Sequence, residues 1–444
     1  MRPTGMTAFM IVWVGQLVSL LGTAMTNFAL TIWAYQETGQ ATTLALVAFF
    51  YVTPLLALSP FAGAIVDRSN RKLMMIVSDA GAGVATIVVL ILYSMGVLEV
   101  WHLYITSFIA GATQTFQWPA FSAAISTMIR KEQYGRAHGL NSLAGSGSNV
   151  FAPILAAALL GFVGIGTILW IDIVTFSVAI ATLLFVVIPQ PEQTAEGRES
   201  QGSLLSESVY GFKYIWKRKG LLGLQIVFLI GNFFASMAFV LIAPMILART
   251  MNDELMLGSV QSAGAIGGVI GGLIMSAWGG PKKLVHGVFL GWAFSGIVGF
   301  IIFGIGQSWL VWAVASFGGA LAVPLINGSN QAIWQKKVAA DVQGRVFSIR
   351  RLIAWLVNPL ATLAAGPLAD FVMEPAMMAD GALANRFGWL VGTGPGAGMA
   401  LLVILCGIVS AAVGLGAYLF PTVRDVEELL PDHTQEVPEA AVAA

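Results

Sequence analysis

The sequence predicts an all-α integral membrane protein, twelve transmembrane helices in two pseudo-repeated bundles of six. Three observations predict it: an oily composition, twelve apolar runs of spanning length, and a charged cluster that recurs in the two halves. Of 444 residues, 57% are apolar and 10% charged, whereas soluble domains carry roughly 25% charge. The 22 basic and 22 acidic residues cancel, so net charge gives no footing for a nucleic-acid partner. A single cysteine, Cys406, excludes an internal disulfide and a thiolate metal cluster.

A hydrocarbon core about 30 Å thick asks for about 20 apolar residues per helix. Runs of that kind cover 7–33, 41–66, 73–95, 101–128, 140–162 and 168–188, then 221–248, 257–278, 284–305, 309–334, 346–372 and 396–420. The first is too long for the core of a signal peptide and has only Arg2 ahead of it. The chain therefore divides into an N-terminal bundle (1–188), a polar linker (189–220), a C-terminal bundle (221–420) and an acidic tail (421–444), read as a solvated cytoplasmic extension. In the linker, Val209, Phe212 and Trp216 share a helical face beside Lys213 and Lys217. That suits either a helix lying in the bilayer interface or a basic start to the seventh span.

Basic residues resist translocation and collect on the cytoplasmic side. With both termini inside, 20 of the 22 Lys and Arg residues are cytoplasmic, and only Arg249 and Arg386 face out. The expected location is the cell membrane, multi-pass, with the lipid bilayer as surroundings.

The halves repeat. Glu132-Gln-Tyr-Gly135-Arg136 follows the fourth span, and Asp341-Val-Gln-Gly344-Arg345 follows the tenth. Duplicated halves place a substrate site where they meet near the midplane. Amides add a second period: spans one, four, seven and ten carry Gln16 and Asn27, Gln114 and Gln117, Gln225 and Asn232, and Asn327, Asn330 and Gln331, while spans three, six, nine and twelve carry none. Buried amides are costly in lipid, which suggests an inner set lining a path and an outer set facing lipid. Gln16, Thr23 and Asn27 fall on one stripe. With Trp118 and the other amides they are the candidate cavity residues; hydrogen bonding that only holds the bundle together is the competing role.

Carboxylates inside the membrane are few. Asp79 in span three and Asp172 in span six are the candidates for carrying a coupling proton, and Asp370 sits near the outer end of span eleven. Asp79 has a rival structural role, pairing with Arg68 or Arg71, and Asp172 a rival role as a cap near the outer surface. Gly264, Gly268 and Gly272, with Gly267 and Gly271 between them, allow close helix packing in span eight. No nucleotide-binding, zinc-hydrolase or serine-hydrolase motif occurs, so no cofactor, metal or catalytic residue is expected.

Gly63-Ala-Ile-Val-Asp67-Arg68-Ser-Asn70-Arg71-Lys72, between spans two and three, resembles the GxxxDRxxRK loop motif of the major facilitator superfamily. The resemblance implies that fold over essentially the whole chain and a gating role for Gly63, Asp67, Arg68, Arg71 and Lys72. Asn70 stands where the family often has Gly, a residue type that tolerates a left-handed turn. Asp67 can cap a helix N-terminus, and the three cations can meet acids or helix C-terminal carbonyls. The Pro119-Ala120 region with Gly135-Arg136-Ala137, Gly344-Arg345-Val346-Phe347 and Glu374-Pro375-Ala376-Met377 resemble the macrolide-efflux branch of drug:proton antiporters. Span five departs from the exporters, with Ala152-Pro153-Ile-Leu-Ala156-Ala157 for Gly-Pro-x-x-Gly-Gly, and span four lacks their embedded Arg.

The resemblance implies a monomeric secondary transporter that expels amphiphilic small molecules in exchange for protons. Uptake or export of a specific metabolite or siderophore is the alternative. A membrane enzyme would show a His, Asp or Glu cluster at one face and a sensor a soluble domain, and the sequence has neither.

Overall fold

The structure, a computed structural model, describes residues 5–129, 134–188, 212–338 and 343–431, and every regular element among them is helical. The first half holds α1 (Gly5–Thr38), α2 (Ala41–Arg68), α3 (Arg71–Ser94) and α4 (Val100–Met128). Tyr134–Phe185 follows, broken at Gly164, where φ is 74°. We number its limbs α5 (134–163) and α6 (165–185); glycine alone takes that backbone without strain. The second half holds α7 (Lys219–Arg249), α8 (Glu254–Trp278), α9 (Leu284–Ile305), α10 (Trp309–Lys337), α11 (Gln343–Leu368, carried on through a π-turn at Ala369–Met373) and α12 (Ala397–Gly416).

Ten helices among the described residues are long and apolar enough to cross a membrane. Two features reconcile ten with the twelve runs of the sequence. The kinked 134–185 element holds two crossings, and α4 is long enough but diluted by Thr106, Thr113, Gln114, Thr115 and Gln117. Residues 212–217 form a helical turn that ends at Arg218, so the basic segment is separate from α7. Phe212 and Trp216 stack on its exposed side, and Tyr214 and Ile215 are buried on the other.

The hydrophobic core is divided in a way that gives the molecule a direction. At the end where residues 188 and 212 lie, each half has its own core among the described residues: Phe9, Val12, Met75, Ala124 and Leu183 in the first, Ile215, Leu224, Phe289, Ile333 and Trp334 in the second. At the opposite face one continuous core takes residues from both, among them Ile32, Leu44, Ala156, Leu169, Leu241, Val260 and Ala365. Among the described residues, the shared core lies at one end only.

Glycines set the closest approaches. A Cβ on Gly111 would collide with the Tyr51 carbonyl, joining α4 to α2, and one on Gly366 would collide with Thr42, joining α11 to α2 across the halves. The α5 run with Ala152, Ala156 and Ala157, all buried, meets α8 of the other half, where Gly258 lies against Pro153 and Ala157. In α8 the packing stripe is Gly264, Gly267 and Gly271, set against Ser316, Phe317 and Leu321 of α10. Gly268 and Gly272 face open space, which corrects the expected stripe at spacing four. The amide-free helices also differ from a plain outer ring, because α9 and α12 are clamped together through Gly296 against Gly407 and Gly414 against Phe289.

The tail is docked over its first residues rather than solvated. Val423 and Val426 are buried, Glu427 accepts from the Val285 N–H at the start of α9, and Lys283 pairs with Glu428 at 2.7 Å. The ammonium of the buried Lys337 donates to the Leu430 carbonyl at 2.6 Å.

The glycine stripe is testable through Cys406, which is 1% exposed and should react with a thiol dye only on unfolding. Gly267→Val, which presses on the α10 backbone, should lower the dye-detected melting temperature by several degrees, as expected for overpacking of about 1–3 kcal/mol. Gly268→Val should move it little.

Candidate functional site

Both intramembrane acids lie on one seam where α1, α3, α4 and α6 pack. Asp79, 9% exposed, accepts from Gln16 Nε2 at 2.8 Å and from Gln117 Nε2 at 2.9 Å; Gln117 also donates to Gln16 Oε1 at 2.8 Å. Three helices thus meet on one carboxylate, and the acid on an amide-free helix is tied to two of the amide-bearing ones. Its expected pairing with Arg68 or Arg71 gives way to this triad, because α3 carries Asp79 two turns beyond the basic loop.

Asp172, 2% exposed, forms a second tier. It accepts from Thr23 Oγ1 at 3.0 Å and Thr86 Oγ1 at 2.9 Å, which ties α6 to α1 and α3 in the interior rather than capping an outer surface. Gln16 and Thr23 are seven residues apart on α1, and Asp79 and Thr86 seven apart on α3. The parallel helices therefore stack the tiers about 10 Å apart. Phe176 of α6 lies between them against Gly83, and Gly15 and Gly22 let α1 sit on Thr182 and Thr175.

The loop motif is partly described. Asn70 has φ −68°, not the left-handed conformation, and its side chain accepts from the Leu73 N–H as the N-cap of α3. Lys72 Nζ donates to the carbonyls of Leu184 at 3.1 Å and Val186 at 2.8 Å, the C-terminal end of α6. That is the cation-to-carbonyl contact expected of the motif. Gly63 and the side chains of Asp67, Arg68, Trp118, Arg136 and Arg345, with Glu132 and Asp341, lie outside the described residues.

At the opposite face, polar bonds bridge the halves. Asp370, in the π-turn of α11, accepts from the N–H groups of Ala41 at 2.9 Å and Thr42 at 2.6 Å, capping α2. Gln36 of α1 donates to Glu254 of α8 at 3.0 Å. Within the second half, Glu374 accepts from Gly396 and Met399 to cap α12, and Arg249 donates to the carbonyls of Gly306 and Val391.

The second-half amides separate into two kinds. Asn327 is exposed and Asn232 half-buried. Gln225, 3% exposed, donates to the Arg350 carbonyl and ties α7 to α11, and buried Asn330 accepts from Trp334 one turn along the same helix. Gln331 accepts from Arg350 Nη2 at 2.6 Å, and the guanidinium lies over the rings of Phe347 and Trp334. In the first half Asn27 is exposed and Gln114 half-buried. Sequence reading missed Arg350, which it counted as a topology-setting charge, and Thr86, which sits on a helix without amides. The matching seven-residue intervals on α1 and α3 were the available signal for Thr86.

If Gln16 and Asp79 act as one unit, removing either should make removal of the other nearly free. In a double-mutant cycle of Gln16→Leu and Asp79→Leu on unfolding of the purified protein, we expect a coupling of about 1 kcal/mol or more. Additive effects would mean the two side chains are energetically independent.

Comparison with known proteins adds to this geometry. The chain is 27% identical over 373 residues to macrolide efflux protein A of Streptococcus pyogenes, an alignment covering 82% of this chain and 89% of that protein. It is 26% identical over 380 residues to the multidrug efflux pump Tap of Mycolicibacterium fortuitum, covering 80% and 90%. Among solved structures it superposes on a bacterial homologue of the iron transporter ferroportin in an inward-facing state, with TM-score 0.66, 14% identity and coverage of 93% and 100%. A bacterial homologue of the lysosomal transporter Spinster gives TM-score 0.67 at 14% identity, covering 96% and 99%. The profile of the Major Facilitator Superfamily matches residues 12–362, so this multi-pass membrane protein belongs to that superfamily of transporters.

Proposed function

We propose that the protein exports amphiphilic small molecules in exchange for protons by alternating access, as a monomer with the linker face and both termini in the cytoplasm. The divided core supports this reading: among the described residues each half has its own core near residues 188 and 212 and one core is shared opposite, the pattern expected of a cavity open to the cytoplasm and closed outside. Gln16, Gln114, Gln117 and Asn27 belong to the first wall of that cavity, Asn232, Asn327 and Gln331 to the second. The efflux relatives support a drug-like substrate. Asp79 is the proton acceptor, because Gln16 and Gln117 connect it to the cavity helices. The Gly63–Lys72 loop is the gate at the open face, with Lys72 seated on the end of α6. Export of a specific anionic metabolite is the second reading, favoured by Arg350 at Gln331.

The energetics suffice. One charge crossing 100 mV supplies about 2.3 kcal/mol, a roughly fifty-fold gradient of neutral substrate per proton. Asp79→Asn should abolish uphill export in proteoliposomes with an imposed pH gradient while downhill equilibration continues. Uphill movement only toward the cytoplasmic side would defeat the export reading, and uphill export surviving in Asp79→Asn would move coupling elsewhere. A panel of amphiphilic drugs against anionic metabolites and siderophores separates the two substrate readings.

Topology is tested independently. With Cys406→Ser as background, a cysteine at the exposed Asp380 should react with an impermeant maleimide in intact cells, and one at Gln193 should not. The reverse pattern inverts the assignment.

A further inference from the structure

The two buried carboxylates are surrounded by different chemistry. At Asp79 the described hydrogen bonds come from amide N–H groups, which donate only and would repel a cation. At Asp172 they come from hydroxyls, Thr23 on Oδ1 and Thr86 on Oδ2. A third hydroxyl, Thr26, is 3% exposed and interacts with the same carboxylate from the next turn of α1, yet it completes no hydrogen bond. A hydroxyl accepts as readily as it donates, so rotating these O–H bonds turns their lone pairs inward without moving a helix.

Four oxygens from three helices then converge, both carboxylate oxygens and the hydroxyls of Thr23 and Thr86, with the buried, unpartnered Thr26 hydroxyl one turn along α1 as a fifth. All-oxygen sets suit hard cations. A lone carboxylate in hydrocarbon is neutralised by one monovalent ion, whereas a divalent ion would leave a net positive charge at similar cost. The other titratable side chains described on α1, α3 and α6 stand away along the helices: Asp79, Arg71 and Lys72 toward the linker face, Tyr93, Tyr35 and Glu37 toward the opposite one. Thr23 is half-buried, so the cluster is not sealed.

We propose that the Asp172 cluster is a binding site for a small monovalent cation, sodium, separate from the proton acceptor at Asp79. Sodium there ties α1, α3 and α6 together as a neutral unit and gives the transporter a second ion to which its conformations respond. The inference goes beyond the export reading and does not depend on what the protein carries.

The test is sodium-dependent stability of the full-length protein in nanodiscs, read by dye reaction at Cys406 while sodium chloride replaces choline chloride at constant ionic strength. A ligand that binds only the folded state raises the melting temperature saturably. We expect such a rise for the parent protein and for Asp79→Asn, its complete loss in Asp172→Asn, and at least a tenfold higher sodium midpoint in Thr86→Val. Thr86→Val keeps the carboxylate and removes one oxygen, so it decides the matter if Asp172→Asn does not fold. No sodium dependence in the parent, a rise that survives in Asp172→Asn, or an unchanged midpoint in Thr86→Val overturns the proposal. Because nothing is transported in this assay, a sodium site in a protein that fails to export would count against the export reading alone.

Discussion

Hydrocarbon offers no hydrogen bonds, so every carboxylate carried into this protein must be satisfied by the protein itself. That constraint organises the bundle. Asp79 gathers α1, α3 and α4; Asp172 gathers α1, α3 and α6; Asp370 joins α11 to α2; Glu374 closes the start of α12. Removing such an acid removes a junction between helices and leaves donors in the membrane without an acceptor.

Apolar packing alone could not do this, since lipid is as oily as a leucine side chain and gives no hydrophobic drive between helices. The helices instead approach by deleting side chains. Gly267 and Gly271 lie on the α10 backbone, Gly296 and Gly407 on each other, and Gly15 and Gly22 bring α1 against α6 at the level of the acids. The first half has the acid tiers and the second the Arg350 cluster, so duplicated architecture carries unequal chemistry. The division of the core adds an asymmetry of packing, with one core shared between the halves and two belonging to one half each among the described residues.

The class of fold was legible because lipid imposes length and composition on every span, and the charge-bearing loops punctuate them. The break between α5 and α6 was legible as the gap between the apolar runs 140–162 and 168–188, and the chain turns there on the single residue Gly164. What the sequence hid was direction around each helix. Gly267 and Gly268 are neighbours in the chain yet face a backbone and open space respectively, and Gln225 and Asn232 share a stripe yet differ in burial. Partners across helices were hidden too. Asp79 was one residue among several that could meet the basic loop, and only the relative height of α1, α3 and α4 delivers it to Gln16 and Gln117.

The bond that closes the face opposite the linker is made by Asp370 to main-chain N–H groups. The receiving side of that latch is therefore written in backbone, and the identities of residues 41 and 42 are nearly irrelevant to it. The first turn of α2 is held by packing as well, because Ala41, Thr43 and Leu44 are buried and Gly366 lies directly on Thr42. Proline, which has no N–H, would break the latch at either position. A change of side chain in that turn is therefore felt as packing strain and not as a lost hydrogen bond.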